Sequence, residues 1–217
     1  MKLIFKLAAL LMLASTYSYS AAQVLDPLWQ KTVQHLQKAQ NYVAHDIDQK
    51  LEAEGNGEKK NVVMKIQQTA WKDKNPVYTV ISADPKPKDG GTPKVVDFED
   101  VMKVVFKLML TEQTKVTRMD AQKFEGLNAT LFQIKEGGVQ SIDAKLWVHP
   151  ETGEVYSYHI QMSIPLMVEL DSKVRFAETA FGVRLGQYRE THFKIKIPFK
   201  KATGNLNETL SNWIPRP

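Results

Sequence analysis

The chain has 217 residues, with 29 Lys and Arg against 24 Asp and Glu, a net charge of +5, and no cysteine. The mild basicity is not gathered into a block, which excludes a nucleic-acid footprint. The lack of cysteine excludes disulfide staples and a lipid-modified N-terminal cysteine, so the core must hold the fold, as a chain of this length can.

The opening stretch MKLIFKLAALLMLASTYSYSAA places Lys2 and Lys6 ahead of an apolar run from Leu7 to Ala14, followed by small and polar residues. That is the order of a secretory signal, and the apolar run is short for a bilayer span. Residues 1–22 are therefore expected to be a signal peptide, cleaved after Ser20 or Ala22, and 23–217 a single domain; a buried helix or a retained anchor is the alternative. No later stretch approaches about eighteen apolar residues, so no transmembrane segment is expected after cleavage, and the periplasm is the expected location.

Asp26-Pro27 suits a helix start, with Asp as cap and Pro in the first turn. From there Trp29, Val33, Leu36, Val43, Ile47 and Leu51 recur at steps of three, four or seven. This spacing predicts a long amphipathic helix over 27–53, stopped at Gly55-Asn56-Gly57. NVVMKIQQTAW and VYTVISA, between Val62 and Ala83, are rich in β-branched and aromatic residues and predict a hairpin. Prolines, glycines and lysines then predict a loop over Asp84–Lys94. Asp97 would cap a second helix over Phe98–Leu110, apolar on most faces, with a continuous strand as the alternative.

Beyond Thr111 only strands are expected: VTRMDAQKF, LNATLFQIK, SIDAKLWVH, VYSYHIQMSIPLMVEL, KVRFAETAF and YRETHFKIKIPF, with breaks that include Asp171-Ser172 and Gly182–Gly186. Short connections force antiparallel neighbours. The tail KKATGNLNETLSNWIPRP reads as polar chain whose Trp213 and Ile214 dock back on the sheet. The expected fold class is α+β, about eight strands in a strongly curved antiparallel sheet, an unclosed β-barrel, covered by two helices.

The chemistry-bearing residues are sparse. His35, His45, His149, His159 and His192 show no metal-ligand spacing, and no Gly-x-Ser-x-Gly elbow, P-loop or dinucleotide glycine pattern occurs. The reading is therefore a non-enzyme with no metal and no cofactor. What remains is alternation. Tyr156, Tyr158, Ile160, Met162 and Ile164 share one strand face, and Phe193, Ile195, Ile197 and Phe199 follow Arg189 and Thr191 on another. Such a sheet has one apolar side and one wet side. The apolar side is either plain core or in part a cavity, with Met102, Met109, Met162 and Met167 as adaptable contacts.

The hairpin AKLWVHPETGEVYSYHI, together with the signal, the long first helix and the antiparallel strands, resembles the periplasmic outer-membrane lipoprotein carrier superfamily, the LolA, LolB and RseB-like proteins. Many members carry Trp-Val-Asp-Pro-Glu-Thr-Gly where this chain reads Trp147-Val148-His149-Pro150-Glu151-Thr152-Gly153. The resemblance implies a half-barrel lidded by helices over a hydrophobic cavity for acyl chains. It makes Phe106, Met109, Tyr158, Met162, Phe193 and Ile195 the candidate ligand-binding residues. The implied function is binding or carrying a lipid, acyl chain or lipoprotein. The alternative is a regulatory or envelope-assembly protein that holds a protein partner through the same fold.

Overall fold

A computed structural model of the chain describes residues 25–55, 57–86, 110–138, 141–198 and 201–217. The expected signal peptide, the second helix over Phe98–Leu110 apart from Leu110 itself, and most of the loop over Asp84–Lys94 lie outside the described residues. Among the described residues there is one helix, α1 (Pro27–Ala39). Ten strands follow: β1 (Tyr42–Gly55), β2 (Glu58–Lys72), β3 (Asn75–Asp84), β4 (Thr117–Phe124), β5 (Leu127–Glu136), β6 (Ser141–Val148), β7 (Val155–Ile164), β8 (Val168–Glu178), β9 (Arg184–Ile195) and β10 (Ala202–Pro215).

All ten form one antiparallel sheet in the order β3-β2-β1-β10-β9-β8-β7-β6-β5-β4. Every neighbour is a neighbour in sequence except β1 and β10, the first and last described strands, which pair from Tyr42↔Pro215 to Gly55↔Ala202. The outermost strands are β3 and β4, so the barrel does not close.

This corrects the expected fold class. The described chain is nearly all sheet and is not a helix-covered α+β fold. The helix predicted over 27–53 ends at Ala39, and its second half is β1. Val43, Ile47 and Leu51 are four apart, a step that fits one helix face and equally every second pair on one strand face. The single run predicted over 155–170 is two strands, turned at 165–167, and Asp171-Ser172 lies inside β8 rather than at a break. The polar tail is β10, an inner strand of the sheet paired on both sides. The hairpin of β2 and β3 forms as predicted, about Asp73 and Lys74.

The helix sits in the bend. Asp26 caps it, its carboxylate accepting from the Leu28 and Trp29 amides, and Leu28, Trp29, Thr32, Val33 and Leu36 form its buried face. Trp29 lies edge-on to Phe132 of β5, centroids 5.2 Å apart, and donates from Nε1 to the Thr111 carbonyl at 2.9 Å. Leu36, two turns on, lines a cavity together with Ile66 of β2 and Tyr78 of β3. In a flat sheet β5 and β2 would stand about 34 Å apart at the usual strand spacing, and Trp29 and Leu36 are only about 10 Å apart along the helix. The sheet must therefore wrap around α1, with the buried cluster of β5 to β10 on its inner face.

The hairpin motif seats this helix. The Gly153 amide donates to the His149 carbonyl and the His149 amide to the Glu154 carbonyl, and the His149 Nδ1 accepts from the amides of Glu151 and Thr152 at 3.2 and 3.3 Å. An aspartate carboxylate in this position would accept the same amides. Gly153 has φ 77°, and a Cβ there would lie 3.0 Å from Lys31 Cβ and the Thr32 nitrogen. The carbonyls of Glu151 and Thr152 meet Lys31 and His35 of the helix. A tight reversal without a side chain at Gly153 is what lets α1 lie down on the end of the sheet.

Candidate ligand cavity

Between the second half of α1 and the inner face of the sheet lies a cavity of about 860 Å³. Small-molecule sites span roughly 300–1,000 Å³, so this one is large. Leu36 and Ala39 form its roof, and Val43, Ile47, Ile66, Val174, Leu185 and Leu210 supply apolar wall. Exposed Gln37, Gln40 and Gln113 mark its solvent side.

One lateral row of paired residues explains why the lining is mixed. Met64 pairs with Gln49, Gln49 with Glu208, Glu208 with Arg189, Arg189 with Val174, Val174 with Tyr158, and Tyr158 with Leu146. Directly opposed residues share a sheet face, so the row runs across the inner wall with a polar patch in its middle. Glu208 accepts from Gln49 Nε2 at 3.0 Å and from Arg189 Nη1 at 3.2 Å. Gln49 and Glu208 are only 2% and 6% exposed. Burial pushes the Tyr158 hydroxyl up to about 12, with Glu208 adding to the shift and Arg189 opposing it, so this phenol stays protonated.

Of the sequence-predicted ligand residues, Tyr158 lines the cavity. Met162 and Phe193 belong to the packed cluster beside α1, Ile195 packs against it half-buried, and none of the three is part of the lining. Phe106 and Met109 lie outside the described residues. A register break between Trp147 and Val148 carries Tyr156 out of the apolar alternation, and it stacks with Phe124 under the Arg184 guanidinium. Gln49 and Glu208 were not singled out from sequence, because β1 reads as helix and β10 as tail; Trp213 was expected only to dock on the sheet, and it pairs with Ala44 and lines the cavity. Alternation of Leu206, Glu208 and Leu210 was the available signal. Arg189 was placed on the apolar face of its strand, and the structure brings it against Glu208.

The outer face is wet, as the alternation predicts. His159 meets Asp171 at 2.8 Å, Gln133 donates to Asp143, and Lys196 pairs with Glu169. Hydrogen bonds from Gln161 and His159 hold the Asp171 carboxyl below its usual range although burial, the largest single influence, acts the other way. Among the described residues no group of three or more histidines and carboxylates could hold a metal ion, and no helix is long and apolar enough to cross a membrane.

No family model matches the chain, and no curated protein matches it. Solved structures do. The chain is similar to a DUF1329 family protein from Desulfovibrio piger at 9% identity, with a TM-score of 0.43 over 87% of this chain and 91% of that one. It is similar to an outer membrane lipoprotein-sorting protein domain from Vibrio parahaemolyticus at 8% identity, with a TM-score of 0.39 over 86% and 93% of the two chains. A third, at 8% identity and a TM-score of 0.21 over 87% and 99%, is MucB, solved in complex with MucA(peri).

Proposed function

We propose that this chain is an exported binding or carrier protein of the periplasm that holds a lipid or acyl chain between α1 and the inner face of its half-barrel. The observation that carries the reading is the cavity of about 860 Å³ under Leu36 and Ala39, in a protein whose packed cluster lies beside it rather than across it. Among the described residues a ten-stranded sheet bends around one 13-residue helix, and inner surface remains that this helix does not cover. Burying apolar ligand surface there is favourable at about 25 cal/mol per Å² before the cost of immobilising the ligand. Transport in this reading is burial and release, with no bond made or broken. The N-terminal signal-like segment supports the location.

The test is fluorescence of N-phenyl-1-naphthylamine with the purified protein and its displacement by lipids, next to native mass spectrometry for co-purified lipid. Ile47→Trp, which fills cavity space from a half-buried position, is expected to weaken binding at least tenfold. Val63→Trp on the exposed outer face is expected to leave it unchanged. Absence of dye and lipid binding, or equal effects of the two substitutions, would refute the reading.

A further inference from the structure

The two ends of the sheet carry their lysines differently. Around the β1–β2 and β7–β8 turns, Lys59, Lys60 and Lys196 pair with Glu54, Glu58 and Glu169. At the opposite end lies the rim of the cavity. There Lys38 in the last turn of α1, with Lys72 and Lys74 at the β2–β3 turn, are exposed and form no ion pair among the described residues.

The rim is one continuous surface. Arg216 donates from Nε to the Gln40 carbonyl at 2.8 Å and from Nη1 to the Lys74 carbonyl at 3.5 Å, which ties the end of α1 to the β2–β3 turn. Phe181, in the β8–β9 turn and 48% exposed, leans on Tyr42 with ring centroids 5.2 Å apart. Tyr42, Gln40 and Arg216 all line the cavity. Glu178 faces Arg184 across the β8–β9 ladder, which leaves the carboxylates of Asp73 and Glu112 against Lys38, Lys72, Lys74 and Arg216.

On the cavity-binding reading the occupant is apolar, and its passage through open water is costly. Contact between the rim and a bilayer removes that step. Each lysine near an anionic surface strengthens binding about fivefold, and an aromatic ring that enters the interface adds a second anchor. Neither anchor is strong alone, so the contact stays reversible, as loading and release need. An acidic protein would meet the same lysines, but an exposed Phe beside the mouth of an apolar cavity favours the bilayer.

We propose that this rim is a docking face for an anionic phospholipid bilayer, with Lys38, Lys72 and Lys74 against the phosphates and Phe181 in the interface, so that the mouth opens onto the membrane. This rests on the cavity-binding reading above and adds where the ligand is exchanged.

Co-sedimentation with vesicles tests it. The protein is expected to bind vesicles of equal parts phosphatidylglycerol and phosphatidylcholine, to ignore pure phosphatidylcholine, and to detach in about 1 M salt, where the screening length is about 3 Å. Lys38→Gln with Lys74→Gln is expected to weaken binding about thirtyfold, and Phe181→Ser about fivefold. Lys59→Gln with Lys60→Gln removes the same charge from the other end, and Leu166→Ser removes an apolar side chain there that is 82% exposed. Both are expected to bind within about twofold of wild type. Equal losses in the two double variants, equal binding to both kinds of vesicle, or binding to neither overturns the proposal, and in the last case an acidic protein is the remaining partner for the lysines. N-phenyl-1-naphthylamine binding, measured in parallel, keeps the two readings apart. Dye binding without vesicle binding overturns the docking face alone, whereas vesicle binding in the expected pattern without dye binding supports the docking face and refutes the cavity reading.

Discussion

Gly204 lies on β10 opposite Phe193 of β9 and Ala53 of β1. A Cβ added there would sit 2.4 Å from the Glu52 carbonyl oxygen, 2.8 Å from Phe193 Cζ and 2.9 Å from Ala53 Cα. Two of these three atoms are backbone of β1, which is fixed by ladders to β10 and β2 and cannot withdraw without opening the junction of the chain ends. Overpacking of this kind costs about 1–3 kcal/mol, and the narrower unfolded ensemble of alanine returns about 0.4–1 kcal/mol. The expected net loss for Gly204→Ala is about 1–1.5 kcal/mol, which in a chain of this size lowers Tm by about 2–6 °C. Circular dichroism melts beside Gly137→Ala provide the assay, since a Cβ at Gly137 meets nothing within 4 Å. The control is expected within about 0.5 kcal/mol of wild type. A Gly204→Ala protein that melts with the wild type would refute the argument that close approach of β1 and β10 demands glycine.

Trp29→Ala removes a side chain 1% exposed, its edge contact with Phe132 and its bond to Thr111, and is expected to cost about 3–5 kcal/mol in urea denaturation. Glu208→Ala leaves Arg189 facing the cavity without this carboxylate and is expected to destabilise by about 3–5 kcal/mol, whereas the double variant Arg189→Met with Glu208→Leu stays near wild type; the two urea midpoints check this. Asp46 has its carboxyl held below the ordinary value chiefly by the Asn212 side chain, with Gln67 and His45 helping against the opposing effect of burial. A carboxyl depressed on folding stabilises above its unfolded pKa and loses that contribution as pH falls through the folded one. Urea midpoints should therefore drop below about pH 5, with most of the loss beneath the ordinary aspartate value of 3.8, and less steeply in Asn212→Gly, which keeps the left-handed backbone of φ 51° but loses the amide.

Local chemistry made several elements legible. Asp26-Pro27 starts a helix, Asp73-Lys74 turns a hairpin, and Pro150 to Gly153 turns another, because caps and turns are set by residues a few positions apart. The period-two pattern of β6, β7 and β9 marked their inner faces for the same reason. The pattern failed at Val43, Ile47 and Leu51, where a step of four satisfies both periods. It failed again over 202–215, where a strand buried between two others carries Thr, Asn and Glu that look like tail until their partners are known. Of the cavity, the apolar side of the sheet was foreseen, and with it Tyr158. Arg189 was foreseen only as a member of that side.

The sequence by itself determined a disulfide-free chain of antiparallel strands with one capped helix at its start and one greasy sheet face, since each of these depends on neighbours in the chain. Tertiary structure alone decided that the two ends of the domain meet. Gln49 and Glu208 are separated by most of the protein, and only the pairing of β1 with β10 sets them beside Arg189 in one row. Long-range register has no local signature, because it is selected by the bending of the whole sheet around α1, and that same bend leaves the cavity.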